Sequence, residues 1–251
     1  MDLGLAGKTA LVTGASRGIG LAIATALHRE GCRVALNGRT VEPLQQAVAA
    51  LGEGASYHPG DVTDPKACAN LISSVGARWG GLDVLVCNVG SGASVPPGQE
   101  TPPEWQRVLE MNLYGATHMV AAARKSLGES RGVVLCLSSI CGLAALGAPI
   151  TYSAAKAALN AYVRGMARPL GQEGVRINAL APGNVWFEGG TWERKLGEDR
   201  AGVQEMLQRE VALGRLGELD EIADFAVFLT SARASFATGA VFVLDGGQLR
   251  G

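Results

Sequence analysis

Residues 9–20 read Thr-Ala-Leu-Val-Thr-Gly-Ala-Ser-Arg-Gly-Ile-Gly, an apolar run that leads into a loop with three glycines. The run Thr9–Thr13 predicts a buried strand, and the apolar periodicity from Ile19 to Arg29 predicts a helix. In a chain with 35 glycines among 251 residues, the spacing Gly-x-x-x-Gly-x-Gly alone means little. Its position between a first strand and a first helix is informative, because the free N–H groups and positive end of a helix bind a pyrophosphate there.

The three glycines of this loop have different expected roles. Gly14 and Gly18 permit the turn and a close approach of the backbone to a ligand, while Gly20 lets the helix pack on the strand. We expect a dinucleotide to contact Gly14, Ser16, Arg17, Gly18, Ile19 and Gly20. A turn with a purely structural role is the alternative.

Short apolar runs alternate with helical patterns along the rest of the chain. Further strands are predicted at 33–36, 55–58, 84–87, 133–137, 177–181 and 241–244, and further helices at about 42–51, 65–79, 103–126, 151–168 and 219–230. Apolar strands separated by helices favour a parallel sheet covered on both faces. We predict an α/β fold, a Rossmann-type doubly wound parallel sheet of about seven strands in the order 3-2-1-4-5-6-7, forming one domain over residues 1–251.

One segment interrupts this alternation. No strand is predicted between Asn184 and Gly214, and Glu188-Gly189-Gly190 precedes a charged helical stretch. Because the segment follows a strand end, where ligands of such sheets bind, we expect a lid-like insertion at about 184–214.

The end of the second strand distinguishes between the two nicotinamide cofactors. An acidic residue there usually binds a ribose 2′-hydroxyl, whereas a 2′-phosphate needs positive charge. The sequence Leu36-Asn37-Gly38-Arg39 has no carboxylate. Arg39, with Arg17 from the glycine loop and Asn37 beside it, therefore favours NADP(H) over NAD(H).

The residues that follow the third strand are candidates for the adenine site. Asp61 and Val62 are expected to contact the adenine edge. The alternative for Asp61 is a helix cap before Pro65.

Tyr152 and Lys156 stand four residues apart in a predicted helix, and Ser139 lies thirteen residues before the tyrosine. Positions i and i+4 share a helix face, so we expect the phenol and the ammonium side by side. A neighbouring cation favours the phenolate, so Lys156 is expected to lower the pKa of Tyr152 from its usual value of about 10. Such a pair can exchange a proton with a substrate oxygen.

In their order along the chain, these motifs resemble the short-chain dehydrogenase/reductase family, in its single-domain branch of about 250 residues, which includes 3-oxoacyl reductases. The resemblance covers essentially the whole chain. Asn112, in Met111-Asn112-Leu113, matches the helix asparagine of the family's catalytic tetrad, and Ser139, Tyr152 and Lys156 match the other members. The chain also has Pro182-Gly183 after the sixth strand and Asp245-Gly246-Gly247 near its end, as the family does.

The resemblance implies a role for each residue of the tetrad. Tyr152 is the general acid/base, Ser139 stabilises the carbonyl oxygen, Lys156 also binds the nicotinamide ribose, and Asn112 holds a water of a proton relay. Adjacent Ser138 is the alternative to Ser139, although the spacing favours Ser139. The implied cofactor contacts outside the glycine loop are Asn88, Gly90, Tyr152, Lys156, Pro182, Gly183 and Val185.

Three positions depart from the family pattern. Cys87 replaces an asparagine whose amide braces the sheet. Phe187 replaces a threonine that, in the family, contacts the carboxamide of the nicotinamide. We expect backbone groups of Val185 to make this contact instead. Pro169 is expected to kink or shorten the helix that carries Tyr152.

Candidate substrate contacts lie in the lid-like segment and the loops facing it. They are Ser91, Cys141, Trp186, Phe187 and Trp192. The aromatic side chains either stack on a sugar or apolar ring or form a small core of the lid itself. The resulting hypothesis is hydride transfer between NADP(H) and a small ketone, sugar ketone or acyl derivative. A non-catalytic NADP(H)-binding sensor or scaffold on the same fold is the alternative.

Composition and charge exclude several other classes of protein. The net charge of −1, without runs of like charge, argues against nucleic-acid binding. Five cysteines and three histidines show no metal-ligand spacing, so no metal site is expected. No apolar stretch is long enough to span a membrane and no signal peptide is apparent, so we expect a cytoplasmic protein. The family resemblance implies a homotetramer or a homodimer.

Overall fold

The computed structural model describes residues 2–250, and its centre is one sheet of seven strands. All pairs are parallel, in the spatial order β3-β2-β1-β4-β5-β6-β7. The strands are β1 Thr9–Val12, β2 Arg33–Gly38, β3 Ala55–Pro59, β4 Val84–Cys87, β5 Val133–Leu137, β6 Arg176–Pro182 and β7 Val241–Leu244. The predicted fold class and strand order are confirmed.

The strand order reverses at β1, which lies between β2 and β4. Leu11 of β1 pairs with Ala35 on one side and with Leu85 on the other. The chain leaves β1 and β4 toward different helices, so a crevice opens at their carboxyl ends. The glycine loop after β1 and the loop after β4 meet at this crevice.

Helices cover both faces of the sheet. They are α1 Gly18–Arg29, α2 Val41–Leu51, α3 Pro65–Trp79, α4 Pro102–Leu109, α5 Gly115–Ser130, α6 Ile150–Gln172, α7 Thr191–Glu198, α8 Arg200–Glu210 and α9 Leu219–Thr230. Because strand side chains alternate between faces, Ala10 and Val12 pack under α1 and α9, while Leu11 belongs to the core under α3, α5 and α6. No helix within residues 2–250 is both long and apolar enough to span a membrane.

Two predicted helices differ from the structure. The predicted helix 103–126 is α4 and α5 joined by a π-helical turn at Glu110–Tyr114, which sequence periodicity does not reveal. The prediction that Pro169 shortens α6 is wrong, since this helix runs on to Gln172. Fully buried Leu170 holds the last turn against the core, and its carbonyl accepts the N–H groups of Glu173 and Val175.

Residues 184–214 form α7, α8 and their connections. The segment contains no β-strand, although Val185 makes an isolated parallel bridge to Gly217. Val203, Leu207 and Val211 form a small core of this segment, with Trp192, Leu196, Met206 and Leu216 packed against it. The segment therefore has packing of its own and lies beside the carboxyl end of the sheet.

Candidate active site

The glycine loop has the geometry that close backbone approach requires. Gly14 and Gly18 have φ angles of +63° and +58°, which residues with a Cβ rarely adopt. A Cβ on Gly20 would lie 2.4 Å from the Gly14 carbonyl oxygen. The amide Nδ2 of Asn88 donates to the Thr13 and Gly14 carbonyls at 3.0 and 3.1 Å, so the loops after β1 and β4 are joined directly.

The amino end of α1 is open to an anionic ligand. Its N-cap residue, Arg17, makes no side-chain capping bond, and no acidic residue lies in the first turn. The backbone N–H groups at this end therefore remain free for phosphate oxygens. Together with the glycine conformations, this arrangement fits the pyrophosphate of a dinucleotide.

The two cofactor contacts predicted at the end of β2 differ in burial. Arg39 is exposed. Asn37 lies below the surface, where its Nδ2 donates to the carbonyls of His58 and Gly60 at 3.0 and 3.1 Å. The Nδ2 group of Asn37 therefore braces the end of β3, while the Asn37 carbonyl accepts the N–H of Ala15 in the glycine loop at 2.8 Å.

Asp61 and Val62, which follow β3, have different surroundings. Asp61 is not the helix cap, because Asp64 caps α3 through the Lys66 N–H at 2.9 Å. The carboxylate of Asp61 instead accepts the N–H and hydroxyl of Thr63 at 2.9 and 2.8 Å. Val62 is buried.

Arg17 connects the glycine loop to segment 184–214. Its Nη1 donates to the Gly189 carbonyl at 3.3 Å. The ring of Phe187 lies in the same region, so that a Cβ on Gly18 would come within 2.9 Å of it and one on Gly190 within 3.0 Å. Segment 184–214 therefore rests directly on the glycine loop.

Tyr152 and Lys156 lie on one face of α6, as predicted from their spacing. Tyr152 is half-buried, whereas Lys156 is buried. Lys156 Nζ donates to the Leu137 carbonyl at 2.8 Å and lies 5.9 Å from the centroid of the Tyr152 ring. The ammonium therefore contacts the end of β5 and does not bond the phenol directly.

Burial determines the proton affinities of both groups. It raises the pKa of Tyr152 to about 12, and interaction with the Ser139 hydroxyl opposes this only in part. Burial also lowers the pKa of Lys156 to about 8, against the opposing effect of the Cys136 and Cys87 thiols. The pKa of Tyr152 is therefore raised above its usual value, contrary to the expected lowering, because desolvation of the phenolate dominates.

Ser138 and Ser139 have different surroundings. The Ser138 hydroxyl donates to Asn160 Oδ1 at 2.6 Å, and Asn160 Nδ2 donates to the Gly142 carbonyl at 3.2 Å. Ser139 Oγ accepts the Cys141 N–H at 3.2 Å and remains next to Tyr152. Ser138 thus fixes the turn after β5 to α6, which leaves Ser139 as the hydroxyl facing the phenol.

Asn112 lies in the π-helical turn and is buried. Its Oδ1 accepts the Ser91 N–H at 2.9 Å, and its Nδ2 donates to the carbonyls of Ser91 and Val108 at 3.1 and 3.0 Å. A Cβ on Gly90 would lie 2.8 Å from Asn112 Oδ1 and 3.0 Å from Lys156 Nζ. Asn112 therefore holds the loop after β4 against Lys156.

Two adjoining cavities lie above these residues. The smaller, of about 330 Å³, is lined by the glycine loop, Asn88, Gly90 and Lys156. The larger, of about 780 Å³, is lined by Ser139, Cys141, Trp192 and parts of segment 184–214. Their shared lining residues are Ile19, Ser91, Gly92, Ser138, Tyr152, Pro182, Phe187 and Thr191. Tyr152 therefore stands where the two cavities join.

One candidate substrate residue lies elsewhere. Trp186 is exposed and lines a separate groove with Leu196 and Leu216, so the structure does not bring it to the two cavities beside Tyr152. Adjacent residues in an extended segment point in opposite directions, which turns Trp186 outward when Val185 and Phe187 face the crevice. The bridge to Gly217 uses the backbone of Asn184 and Trp186, so the N–H and C=O of Val185 face the other side.

Several lining residues were not predicted from the sequence. Asn184, Thr191, Met206 and Gln248 all line the larger cavity. Gln248 directly follows the Asp245-Gly246-Gly247 turn, and that position was the signal available in the sequence. The other three come from segment 184–214, whose folding no periodic pattern specifies.

Comparison with known proteins gives consistent matches over nearly the whole chain. A family model of enoyl-(acyl carrier protein) reductases matches residues 14–248. Gluconate 5-dehydrogenase of Gluconobacter oxydans is 35% identical over 247 residues, which are 97% of this chain and 95% of that protein. The 3-oxoacyl-[acyl-carrier-protein] reductase of Escherichia coli is 32% identical over 247 residues, covering 96% of this chain and 97% of the relative.

Solved structures match equally well. L-sorbose reductase of Gluconobacter frateurii, complexed with NADPH and L-sorbose, superposes with a TM-score of 0.94 at 29% identity and 100% coverage of both chains. A 7α-hydroxysteroid dehydrogenase complexed with NADH gives 0.91 at 26% identity, covering 100% of this chain and 97% of the other. These proteins share the fold but differ in cofactor and substrate.

Proposed function

Because the chain belongs to the short-chain dehydrogenase/reductase family, we propose that it is an NADP(H)-dependent oxidoreductase that interconverts a small ketone and a secondary alcohol. The observation that carries this proposal is the position of Tyr152, beside Ser139 and at the junction of the two cavities. The names of its relatives refer to gluconate, hydroxysteroids and acyl carriers. Similarity to them supports the reaction class but does not identify the substrate.

The cofactor would occupy the smaller cavity and the crevice beyond it. Gly14, Gly18 and the free N–H groups of α1 receive the pyrophosphate, and the backbone of Val185 meets the carboxamide. Arg39 lies exposed at the end of β2 and supplies the positive charge that a 2′-phosphate needs. When bound, the reduced nicotinamide supplies the hydride for the carbonyl carbon.

The side chains of this site supply the proton and stabilise charge. With a pKa of about 12, Tyr152 is protonated at neutral pH and can donate its hydroxyl proton to the carbonyl oxygen. The Ser139 hydroxyl donates a hydrogen bond to the same oxygen as negative charge develops there. Lys156, with a pKa of about 8, is mostly charged at pH 7 and favours the phenolate that remains.

Substitution of Tyr152 by phenylalanine tests the proposed reaction. Tyr152→Phe should lower kcat for NADPH-dependent ketone reduction by about 10³-fold, within the range for loss of a general acid. NADPH binding, followed by nucleotide fluorescence, should stay unchanged. Tyr162→Phe on the same helix is the matched control and should retain activity, because Tyr162 packs against the core and lines neither cavity.

The same experiment distinguishes the alternative function. A wild-type protein that binds NADPH tightly but reduces no member of a ketone panel would overturn the catalytic proposal. That result would favour a sensor or scaffold on the same fold.

We also propose that the protein assembles as a homotetramer and is located in the cytoplasm. A homotetramer is supported by β7, an edge strand with no fully buried residue, and by exposed Phe228 on α9. A cytoplasmic location is supported by five unpaired cysteines, since reduced thiols are typical of that compartment.

A further inference from the structure

Thr151 carries a hydroxyl into the interior of the protein, directly beside the proposed proton donor. Its side chain is fully buried, and its Oγ1 lies 2.6 Å from Ser94 Oγ in the loop after β4. Ser94 Oγ in turn donates to Glu104 Oε1 at 2.7 Å. A chain of hydrogen bonds therefore runs from α6 through this loop to α4, and the proposed reaction steps use none of its members.

The charge of Glu104 sets the direction of this chain. Hydrogen bonds from Arg107 and Ser94 lower the pKa of Glu104 to about 2, so its carboxylate is ionised at neutral pH and can only accept. The Ser94 hydroxyl must therefore donate its single proton to Glu104, and it accepts the proton of the Thr151 hydroxyl. Each hydroxyl polarises the next, which strengthens a chain that ends on an ion.

Arg107 fixes the outer end of the chain. Its Nε and Nη2 donate to the two carboxylate oxygens of Glu104 at 2.8 and 2.6 Å, a two-point contact that holds the carboxylate in one orientation. Nη2 also donates to the Ala93 carbonyl at 2.9 Å. Helix α4 therefore holds the loop after β4 at two neighbouring residues, Ala93 and Ser94.

The first turn of α6 has no cap of its own. Its N-cap residue, Pro149, makes no side-chain capping bond, and no acidic residue lies in this turn. Tyr152 belongs to the same turn, where backbone N–H groups lack acceptors within the helix. The bond from Thr151 to Ser94 ties this turn to the loop after β4 instead.

The loop held by this chain also faces the Tyr152 ring. A Cβ on Gly92 would meet Tyr152 Cε1 at 4.0 Å, and Gly92 lines both cavities. Before Gly92 the loop is held at Ser91, whose N–H donates to Asn112 at 2.9 Å, and after it at Ala93. The position of the ring is thus set from two sides, by its own helix turn and by the loop.

We propose that Thr151 and Ser94, anchored by Glu104 and Arg107, are positioning residues that hold the Tyr152 phenol in place for proton transfer to the carbonyl oxygen. This role rests on the proposed reductase function and adds residues that act on the reaction through Tyr152. None of the four exchanges a proton with the substrate. Misplacement of a reacting group by about 1 Å can lower a rate by about 10²-fold, so the loss of one hydroxyl of the chain should be visible in kcat.

The test compares Thr151→Val with Thr151→Ser. Valine keeps the shape of the buried side chain and removes the hydroxyl, whereas serine keeps the hydroxyl and removes a methyl group. The substrate is the best of a panel of ketohexoses, cyclohexanone and ethyl acetoacetate. In Thr151→Val, kcat should fall by about 10- to 100-fold with KM for NADPH unchanged, whereas Thr151→Ser should stay within about threefold of the wild type.

Ser94→Ala breaks the same chain from the loop, and Ser94 is only partly buried, so this variant tests the proposal even if Thr151→Val does not fold. It should lower kcat by a similar factor. The double variant Thr151→Val, Ser94→Ala should be no slower than the slower single variant, because both changes remove one shared contact. A double variant in which the two losses multiply would contradict a shared network.

Thr230→Val is the matched control. Thr230 is also buried, but its hydroxyl donates to the Val227 carbonyl on its own helix, α9, and it lines neither cavity. This variant should leave kcat unchanged. A wild-type kcat in Thr151→Val, or an equal loss in Thr151→Ser, would overturn the proposed positioning role.

Hydrogen exchange separates the positioning role from the reductase proposal. If the wild type reduces no ketone of the panel, the reductase proposal fails, and amide exchange in residues 149–156 still tests the network. Thr151→Val should accelerate exchange there by about tenfold, as expected for the loss of one hydrogen bond, and Thr151→Ser should not. Unchanged exchange in Thr151→Val contradicts the network.

Discussion

Lys156 is a cation held in the interior of the protein, and its surroundings oppose its charge. Its pKa of about 8 results from burial, which is only partly offset by neighbouring thiols, and its sole direct partner within residues 2–250 is a backbone carbonyl. Buried charges without a counter-ion reduce stability and persist where function requires them. The proton affinities of Lys156 and Tyr152 therefore describe a site organised for chemistry at the expense of stability.

Replacing Lys156 by methionine should stabilise the fold at neutral pH. The change in pKa from 10.5 to about 8 corresponds to about 3 kcal/mol, from which the lost hydrogen bond to Leu137 removes about 1 kcal/mol. Urea denaturation at pH 7 should thus give a free energy of unfolding about 2 kcal/mol higher in Lys156→Met.

The stability difference between Lys156→Met and the wild type should depend on pH. The pKa of the folded lysine lies below that of the unfolded chain, so the penalty is complete below about pH 8 and is relieved as pH rises toward 10.5. The advantage of Lys156→Met should therefore shrink between pH 8 and pH 10.5. A constant difference across this range would contradict the prediction, and exposed Lys125→Met is the control.

The proposed preference for NADP(H) rests on Arg39, which is exposed at the end of β2. In Arg39→Asp the carboxylate would repel a 2′-phosphate and accept a ribose 2′-hydroxyl. KM for NADPH should rise by about 10- to 100-fold, as for the loss of a charged hydrogen bond, while KM for NADH falls. Steady-state kinetics with both cofactors provide the measurement. A wild type that already prefers NADH would contradict the proposed role of Arg39.

At the scale of elements, the glycine loop and α1 form one unit with the loop after β4. Gly20 lies so close to Gly14 that no side chain fits, and Asn88 bonds both carbonyls of the turn. Sequence spacing predicted the contribution of each glycine because the constraint is local to one strand, turn and helix. The bridging by Asn88 involves residues 74 positions apart and required the folded sheet.

The junction of α4 and α5 shows how an irregular element places a residue of the candidate site. The π-helical turn at Glu110–Tyr114 directs the Asn112 amide onto the loop after β4. That loop is anchored a second time where Ser94 bonds Glu104 at 2.7 Å and Thr151 at 2.6 Å. Since Thr151 precedes Tyr152, the loop that lines both cavities is fixed to the helix that carries Tyr152.

At the scale of the whole molecule, one edge of the sheet is left apolar and open. Val243 of β7 and Phe228 of α9 are exposed, and Phe236 is fully exposed in the connection between α9 and β7. Large apolar side chains exposed at and beside a sheet edge favour contact with another copy of the chain.

The assembly prediction can be tested by light scattering. The wild type should have four times the chain mass of 25.9 kDa, and a double variant Phe236→Glu, Val243→Lys should dissociate to dimers or monomers. Circular dichroism should show unchanged secondary structure in the variant. A monomeric wild type at micromolar concentration would exclude the tetramer.

The sequence by itself determined the parallel sheet, its strand order, the glycine loop and the spacing of the candidate site residues. Each of these depends on local periodicity or on short spacings, and such patterns are written directly in neighbouring residues. The same reasoning placed Tyr152 and Lys156 on one helix face, because four residues make about one turn. It did not show that the Asn37 amide braces the end of β3 or that Trp186 lines a separate groove, because side-chain direction at a strand end depends on the neighbouring elements.

The tertiary structure alone decided the proton affinities, the division of labour between Ser138 and Ser139, and the shape of the substrate cavity. Burial raises the pKa of Tyr152 although a lysine lies one turn away, and burial is a property of the whole fold. Gln248 reaches the site from the end of the chain, more than ninety residues after Tyr152. Contacts over such separations arise only when the sheet brings its carboxyl ends together.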